Sequence, residues 1–110
     1  MASPRRVVDA LLRAYDLPGD AFGASRSLQL PGFSVAVGEM AAAVRRAGGE
    51  EAYARIRWAP DPLIQRIISS WPRALATPRA EALGFAADTG IDEVVQAFVE
   101  DDLEMQKQLV

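Results

Sequence analysis

The segment Ser69-Ser70-Trp71-Pro72-Arg73 is the most unusual place for chemistry in this 110-residue chain. It joins two hydroxyls, an aromatic plane and a guanidinium where a helical pattern stops at a proline. Loops that follow rigid elements often hold polar ligands. We therefore take Trp71 and Arg73 as candidate ligand-binding residues. The alternative is structural: the serines end the helix, Trp71 fills the core and Arg73 is solvated.

A second candidate site lies at Ser3-Pro4-Arg5-Arg6. A capping hydroxyl followed by proline at the first helical position is typical of a helix start. The free N–H groups of such a helix end, together with an arginine, can bind an anion. Ser3 and Arg5 are therefore candidates as well, with plain capping as the alternative.

Catalytic and metal-binding residues are largely missing. The chain has no Cys and no His, which excludes thiol catalysis, histidine acid–base chemistry, disulfides and the common zinc sites. None of its eight glycines are two positions apart, so no dinucleotide fingerprint is present. Neither Tyr15 nor Tyr53 is followed four residues later by Lys. We interpret the adjacent acids Glu50-Glu51 and Asp101-Asp102 as solvated surface, and expect no catalytic, cofactor or metal site.

Charge is distributed unevenly. Residues 1–80 carry eleven Arg against seven acidic residues, whereas residues 81–110 carry one Lys against eight. Arginine favours planar, two-pronged recognition of carboxylate or phosphate, although an arginine-rich codon preference gives the same composition. Because no basic run exceeds two residues and the net charge is -3, we expect no nucleic-acid partner. No apolar run reaches the ~18 residues of a membrane span, and the N-terminus lacks a signal-peptide core, so we expect a cytoplasmic protein without membrane contact.

Apolar spacing and caps predict four or five helices. They cover about residues 4–15, 36–47, 62–71 and 91–103, with a short helix that begins at Pro78 and is closed by Gly84. Residues 50–55 could add one more turn. Short strands are predicted at 27–30 and 56–58, with 33–37 as a weaker third. The acidic tail 100–110 should fray, because the helix dipole disfavours acids at a C-terminal end.

These elements predict one α+β domain over residues 1–110 that is mostly helical, with two to three short strands. Such strands are too short and too few for an independent sheet. They either pair with each other as a small ribbon or belong to the sheet of a larger protein.

Four motifs in order carry a resemblance to a known family. They resemble the C-terminal part of an extended short-chain dehydrogenase/reductase of the NAD-dependent epimerase/dehydratase family, nearest to its D-erythronate dehydrogenase-like sugar-acid oxidoreductases. The likeness runs from about residue 3 to residue 103. The motifs are Leu30-Pro31-Gly32-Phe33-Ser34-Val35-Ala36-Val37-Gly38-Glu39-Met40, Trp58-Ala59-Pro60-Asp61-Pro62, Ser70-Trp71-Pro72-Arg73 and Thr77-Pro78-Arg79-Ala80-Glu81-Ala82-Leu83-Gly84-Phe85.

The resemblance implies a substrate-binding lobe without its Rossmann domain. The family's glycine fingerprint, Tyr-x-x-x-Lys pair and catalytic Ser precede this region, so NAD is implied for the full-length family and not for this chain. The implied ligand is a sugar acid or sugar derivative, with Ser3, Arg5, Trp71 and Arg73 on the substrate side. Ala36 stands where relatives often have a capping Thr. Alone, the chain is predicted to be inactive.

Two readings of function follow. In the first, the chain is the substrate-binding lobe of a sugar-acid dehydrogenase or nucleoside-sugar epimerase/dehydratase. In the second, it is a stand-alone, non-catalytic binding or assembly module derived from that lobe. An apolar face left without its partner domain also predicts a homo-oligomer that uses Leu28, Leu30 and Phe33 with Val8 and Leu12.

Overall fold

Six α-helices and one 3₁₀ turn form the regular structure of the chain, and the computed structural model describes all 110 residues. The helices are α1 (Pro4–Asp16), α2 (Val37–Ala54), α3 (Pro62–Ser69), α4 (Pro78–Ala82), α5 (Ile91–Asp101) and α6 (Leu103–Leu109), with the 3₁₀ turn at Gly19–Phe22. The acidic tail thus contributes α6, which the sequence did not predict. Fraying of this tail in solution stays a prediction.

The predicted strands do not form, so the fold is mostly helical and not α+β. Residues 25–36 and 56–61 have no regular structure. A strand exists only through hydrogen bonds to a neighbour, and within residues 28–35 only Phe33 makes backbone-to-backbone bonds. The Met1 amine donates to the Phe33 carbonyl (2.8 Å), and the Phe33 N–H donates back to the Met1 carbonyl (3.1 Å). This is an antiparallel pair one residue long.

Local capping follows the sequence closely. The Ser3 hydroxyl accepts the Arg6 N–H at the start of α1 (3.2 Å), and Asp61 accepts the Leu63 N–H at the start of α3 (2.8 Å). Past the end of α4, Gly84 adopts φ +84° and the Phe85 N–H donates to the Ala80 carbonyl (3.0 Å). This αL geometry suits glycine. Phe85 is buried beside it, as predicted.

Helix α2 begins with a weak cap and is interrupted near its middle. Ala36 offers no side-chain oxygen, although the Glu39 carboxylate accepts the Ala36 N–H (3.3 Å), which is half of a capping box. At Gly49 the backbone leaves helical geometry with φ +73°. The predicted end of the helix near residue 47 and the predicted extra turn over 50–55 therefore correspond to the two parts of one kinked helix.

Helix α5 begins directly after Gly90, and Glu93 holds its first turn to the preceding residue Thr89. Gly90 is the N-cap, which places Glu93 and not Asp92 at the third helical position. Glu93 accepts both the N–H (2.5 Å) and the hydroxyl (2.9 Å) of Thr89. Asp92 instead accepts from Arg46 of α2 (2.6 Å), so it ties α5 to α2. The Thr89 hydrogen bonds, with help from Arg6, hold the pKa of Glu93 below its usual value.

The chain has little core of its own. Only nine residues are buried, and of the five apolar ones four are alanines and one is Phe85. The radius of gyration is 17.1 Å, against about 13 Å for a compact domain of this length. Two helices expose the apolar stripes from which they were predicted: Val7, Val8, Leu11, Leu12 and Tyr15 on α1, and Leu63, Ile64, Ile67 and Ile68 on α3. None of the helices is both long and apolar enough to cross a membrane.

Candidate functional site

An open groove of about 570 Å³ lies between two segments without regular structure. One wall is formed by residues 29–34 and the other by residues 72–75, with Met1 and Ala2 completing the lining. The Ser34 hydroxyl donates to the Arg73 carbonyl and so joins the two walls. Gly32 is required in the first wall, because a Cβ there would lie 2.7 Å from the Met1 carbonyl oxygen.

Arg73 gives the groove its chemistry. It is the only charged side chain among the lining residues, and its guanidinium makes no hydrogen bond or ion pair within the chain. Half of the lining residues are hydrophobic. A free guanidinium beside apolar surface can hold a carboxylate or phosphate through two parallel N–H donors. No His, Cys, Lys, Asp or Glu lines the groove, and no cluster in the chain could hold a metal ion. The groove can therefore bind an anion through Arg73.

Trp71 directly precedes the second wall in sequence, does not line the groove and is 63% exposed. Ser69 and Ser70 end α3, since their hydroxyls donate to the carbonyls of Arg66 (2.9 Å) and Ile67 (2.6 Å). As the structural alternative predicted, the two serines end the helix. Contrary to that alternative, Trp71 does not fill a core. Trp71 is two residues from Arg73 and leaves its indole available on the surface.

Ser3 is fully buried and its polar groups already have partners. Its N–H donates to Asp88 Oδ2 (2.7 Å) and its hydroxyl donates to Asp88 Oδ1 (2.6 Å). The Arg6 guanidinium lies 3.7 Å from the same carboxylate. Asp88 therefore receives two hydrogen bonds at the positive end of α1, where a carboxylate is favoured.

Arg5 is likewise engaged inside the chain. Its Nε donates to Asp101 Oδ2 (2.9 Å), and its Nη2 donates to Asp101 Oδ1 and Glu100 Oε2 (2.8 Å each). The contacts with Asp101 and Glu100 raise the pKa of Arg5. In return, Arg5 lowers the pKa of Asp101, while Gln96 and then Arg5 lower that of Glu100.

The four predicted substrate residues therefore fall into two groups. Arg73 lines the groove and Trp71 lies two residues before it in sequence with an exposed side chain, whereas the side chains of Ser3 and Arg5 already have partners in Asp88, Glu100 and Asp101. Substrate binding by any of the four stays a prediction. The sequence analysis missed Asp88 and the wall formed by residues 29–34. Both depend on contacts between distant parts of the chain, and local spacing carried no signal for them.

The chain is similar to parts of known enzymes. It is 39% identical over 101 residues to a D-erythronate dehydrogenase of Cupriavidus necator, which covers 92% of this chain and 31% of that protein. It is 34% identical over 103 residues to a D-erythronate dehydrogenase of Haemophilus influenzae, covering 94% of this chain and 33% of that protein. No protein-family model matches.

A solved structure shows the same fold. The nucleoside-diphosphate-sugar epimerase of Agrobacterium tumefaciens superposes with a TM-score of 0.82 at 37% identity, covering 94% of this chain and 30% of the epimerase. This chain thus spans about a third of each protein that it matches. The resemblance drawn from the motifs is confirmed: nearly the whole chain is similar to about one third of proteins named D-erythronate dehydrogenase and to a part of a nucleoside-diphosphate-sugar epimerase.

Proposed function

We propose that residues 1–110 act as the C-terminal substrate-binding lobe of an NAD-dependent sugar-acid dehydrogenase or related nucleoside-sugar epimerase. In this role the lobe closes over the substrate, and a Rossmann part supplies NAD and the catalytic groups. Two observations support it. The relatives are about three times as long as the matched region, and α1 and α3 expose apolar stripes that a further domain would cover. Inter-domain faces commonly bury about 600–1,500 Å².

The observation that carries the proposal is the free guanidinium of Arg73 in the groove. A sugar acid presents a carboxylate, and an arginine fork is the side chain that recognises this group with the best geometry. The proposal assigns the carboxylate to Arg73 and a sugar-facing surface to Trp71. Ser3 and Arg5 then support the lobe from the contact between α1 and α5.

Ligand titration followed by NMR tests the role of Arg73. We expect D-erythronate to bind the chain weakly, in the millimolar range, and to shift amide signals of residues 29–34 and 72–75. The neutral lactone of the same acid should bind more weakly, since it lacks the ion pair. Arg73→Gln should lower affinity for the acid about tenfold or more, because a hydrogen bond to a charged group contributes ~1.5–3 kcal/mol.

Arg66→Gln is the matched control. Arg66 lies on α3, makes no side-chain contact and does not line the groove. Its substitution should leave acid binding unchanged. Equal losses for Arg66→Gln and Arg73→Gln, or equal binding of acid and lactone, would remove the carboxylate from Arg73. Shifts centred on Ser3 and Arg5 would move the site to the start of α1.

NAD binding tests whether the cofactor site belongs to the Rossmann part and not to this chain. Because the chain has no glycine loop to cradle a pyrophosphate, calorimetry should detect no NAD binding tighter than about millimolar and no oxidation of the acid. Tight binding by this chain alone would contradict the assignment of the cofactor to a separate part.

A further inference from the structure

We propose that Arg79 is a positioning residue that sets the spacing of the two groove walls. The proposal rests on the proposed function, because it concerns the same groove. Arg79 does not line the groove and stands in a short helix beyond it. It acts through the backbone of the loop that enters the first wall.

The guanidinium of Arg79 binds three backbone carbonyls of one loop. Nη1 donates to Ser27 (3.1 Å), and Nη2 donates to Ser25 (2.5 Å) and to Phe22. The loop has almost no other support: the only other hydrogen bond from its residues 24–27 is the Ser27 N–H to the Ser25 hydroxyl (3.3 Å). Arg79 is therefore its principal attachment to the rest of the chain.

Arg79 links the two walls, because it binds the loop before the first wall and follows the second wall in sequence. The clamped Ser27 is two residues before the first wall at 29–34, and Arg79 itself is four residues after the second wall at 72–75. At the far end, the Ser34 hydroxyl holds the Arg73 carbonyl. The two segments thus run antiparallel and are tied at both ends. The ties are seven positions apart on one side and six on the other, so the open groove is the space between them.

Arginine suits this task better than lysine. Its planar guanidinium holds five donors in a fixed arrangement, whereas an ammonium is a single flexible point charge. The three carbonyls of the loop accept hydrogen bonds from this planar group of donors. If the fork is lost, residues 24–27 keep only the hydrogen bond from the Ser27 N–H to the Ser25 hydroxyl, and the first wall can move relative to Arg73.

Limited trypsin digestion tests the clamp without any ligand. The bond after Arg26 lies inside the clamped loop, and the bond after Arg57 lies in a separate irregular segment that serves as internal reference. In Arg79→Ala, cleavage after Arg26 should rise about tenfold relative to cleavage after Arg57, and Arg79→Lys should be intermediate. Lys107→Ala, which removes the ion pair with Glu104 in α6 far in sequence from both bonds, is the control and should leave the ratio unchanged.

Acid binding then tests the positioning role. Arg79→Ala should weaken D-erythronate binding at least threefold with circular dichroism unchanged, and Arg79→Lys should recover part of the loss. An unchanged Arg26 cleavage ratio would overturn the clamp. Increased cleavage with unchanged acid affinity would make Arg79 a loop support with no part in the site. If the wild-type chain binds no acid, the proposed function and the positioning role both fail, while the cleavage ratio still decides the clamp.

Discussion

Paired polar groups form the contact between α1 and α5, whereas exposed apolar side chains form the surface of α3. At the first, polar groups from distant parts of the chain satisfy each other: Ser3 with Asp88, Arg6 with Glu93, and Arg5 with Asp101. On α3, the apolar stripe finds no neighbour inside the chain. The polar groups of the first region are paired, whereas the apolar side chains of the second remain about half exposed. Directional hydrogen bonds thus stabilise the first region, and burial of apolar surface contributes little at α3.

Substitution of Asp88 should change the stability of the chain more than any other substitution described below. Asp88→Asn replaces one acceptor oxygen by an NH₂ group that faces a donor of Ser3, inside a site closed to water. The unfolding free energy should fall by about 3 kcal/mol or more, measured by urea denaturation. Ser3→Ala removes only the hydroxyl and should cost about 1–2 kcal/mol. Asp16→Asn, at an exposed acid without a partner, is the control; equal loss there would show that the burial of Asp88 contributes nothing.

The α3 surface should instead govern association. Because exposed apolar patches beyond a few hundred Å² are rarely left bare, we expect light scattering at tens of micromolar to give a mass at or above a dimer. Ile64→Asn with Ile67→Asn should shift this mass toward the 11.9 kDa monomer. Val8→Asn with Leu12→Asn tests the α1 stripe in the same way. A wild-type mass of one chain at this concentration would count against any self-association.

The caps of α1 and α2 allow a finer test. Ser3 caps α1 with a hydroxyl, while Ala36 leaves the start of α2 with only the Glu39 half of a capping box. Ala36→Thr should raise the unfolding free energy by about 0.5–1 kcal/mol, seen as a higher urea midpoint. Ala36→Val adds similar bulk without an oxygen and should give no gain. A gain from Val equal to that from Thr would mean that packing, and not capping, is responsible.

Arg5 should give the smallest effect, and its pH dependence identifies the cause. Folding lowers the pKa values of Asp101 and Glu100, so their stabilisation is present above the ordinary carboxylate value of about 4. It is lost as the pH falls through the lowered values. Arg5→Ala should therefore reduce Tm slightly at pH 7, and this difference should shrink toward pH 3. A difference that is the same at both pH values would point to lost packing of the side chain.

Features set by neighbours along the chain could be predicted from the sequence, and features set by distant contacts could not. Ser3, Asp61 and Gly84 mark helix ends because caps act over three or four residues. The strand predicted at residues 27–30 failed because strand formation depends on a partner that this chain does not provide.

For the candidate site, too, the local features could be predicted from the sequence and the long-range contacts could not. Arg73 and Trp71 stood out because their residue types are unusual at the end of a helix, and their exposure was a local property. The facing wall at 29–34 is about 40 residues away in sequence and meets Arg73 only through the hydroxyl of Ser34. Arg79 was seen only as part of a helix motif, since its three carbonyl partners are more than 50 residues earlier.

The contact between Ser3 and Asp88 also has a consequence for how the chain is made. The two residues are 85 positions apart. Because a ribosome adds about 5–20 residues per second, Asp88 is synthesised roughly 4 to 17 s after Ser3. During that time α1 has its cap and proline but nothing to hold its first turn against the rest of the protein. Until Asp88 has been synthesised, a nascent chain is therefore without this contact, and its exposed α1 stripe is most open to chaperones and to aggregation.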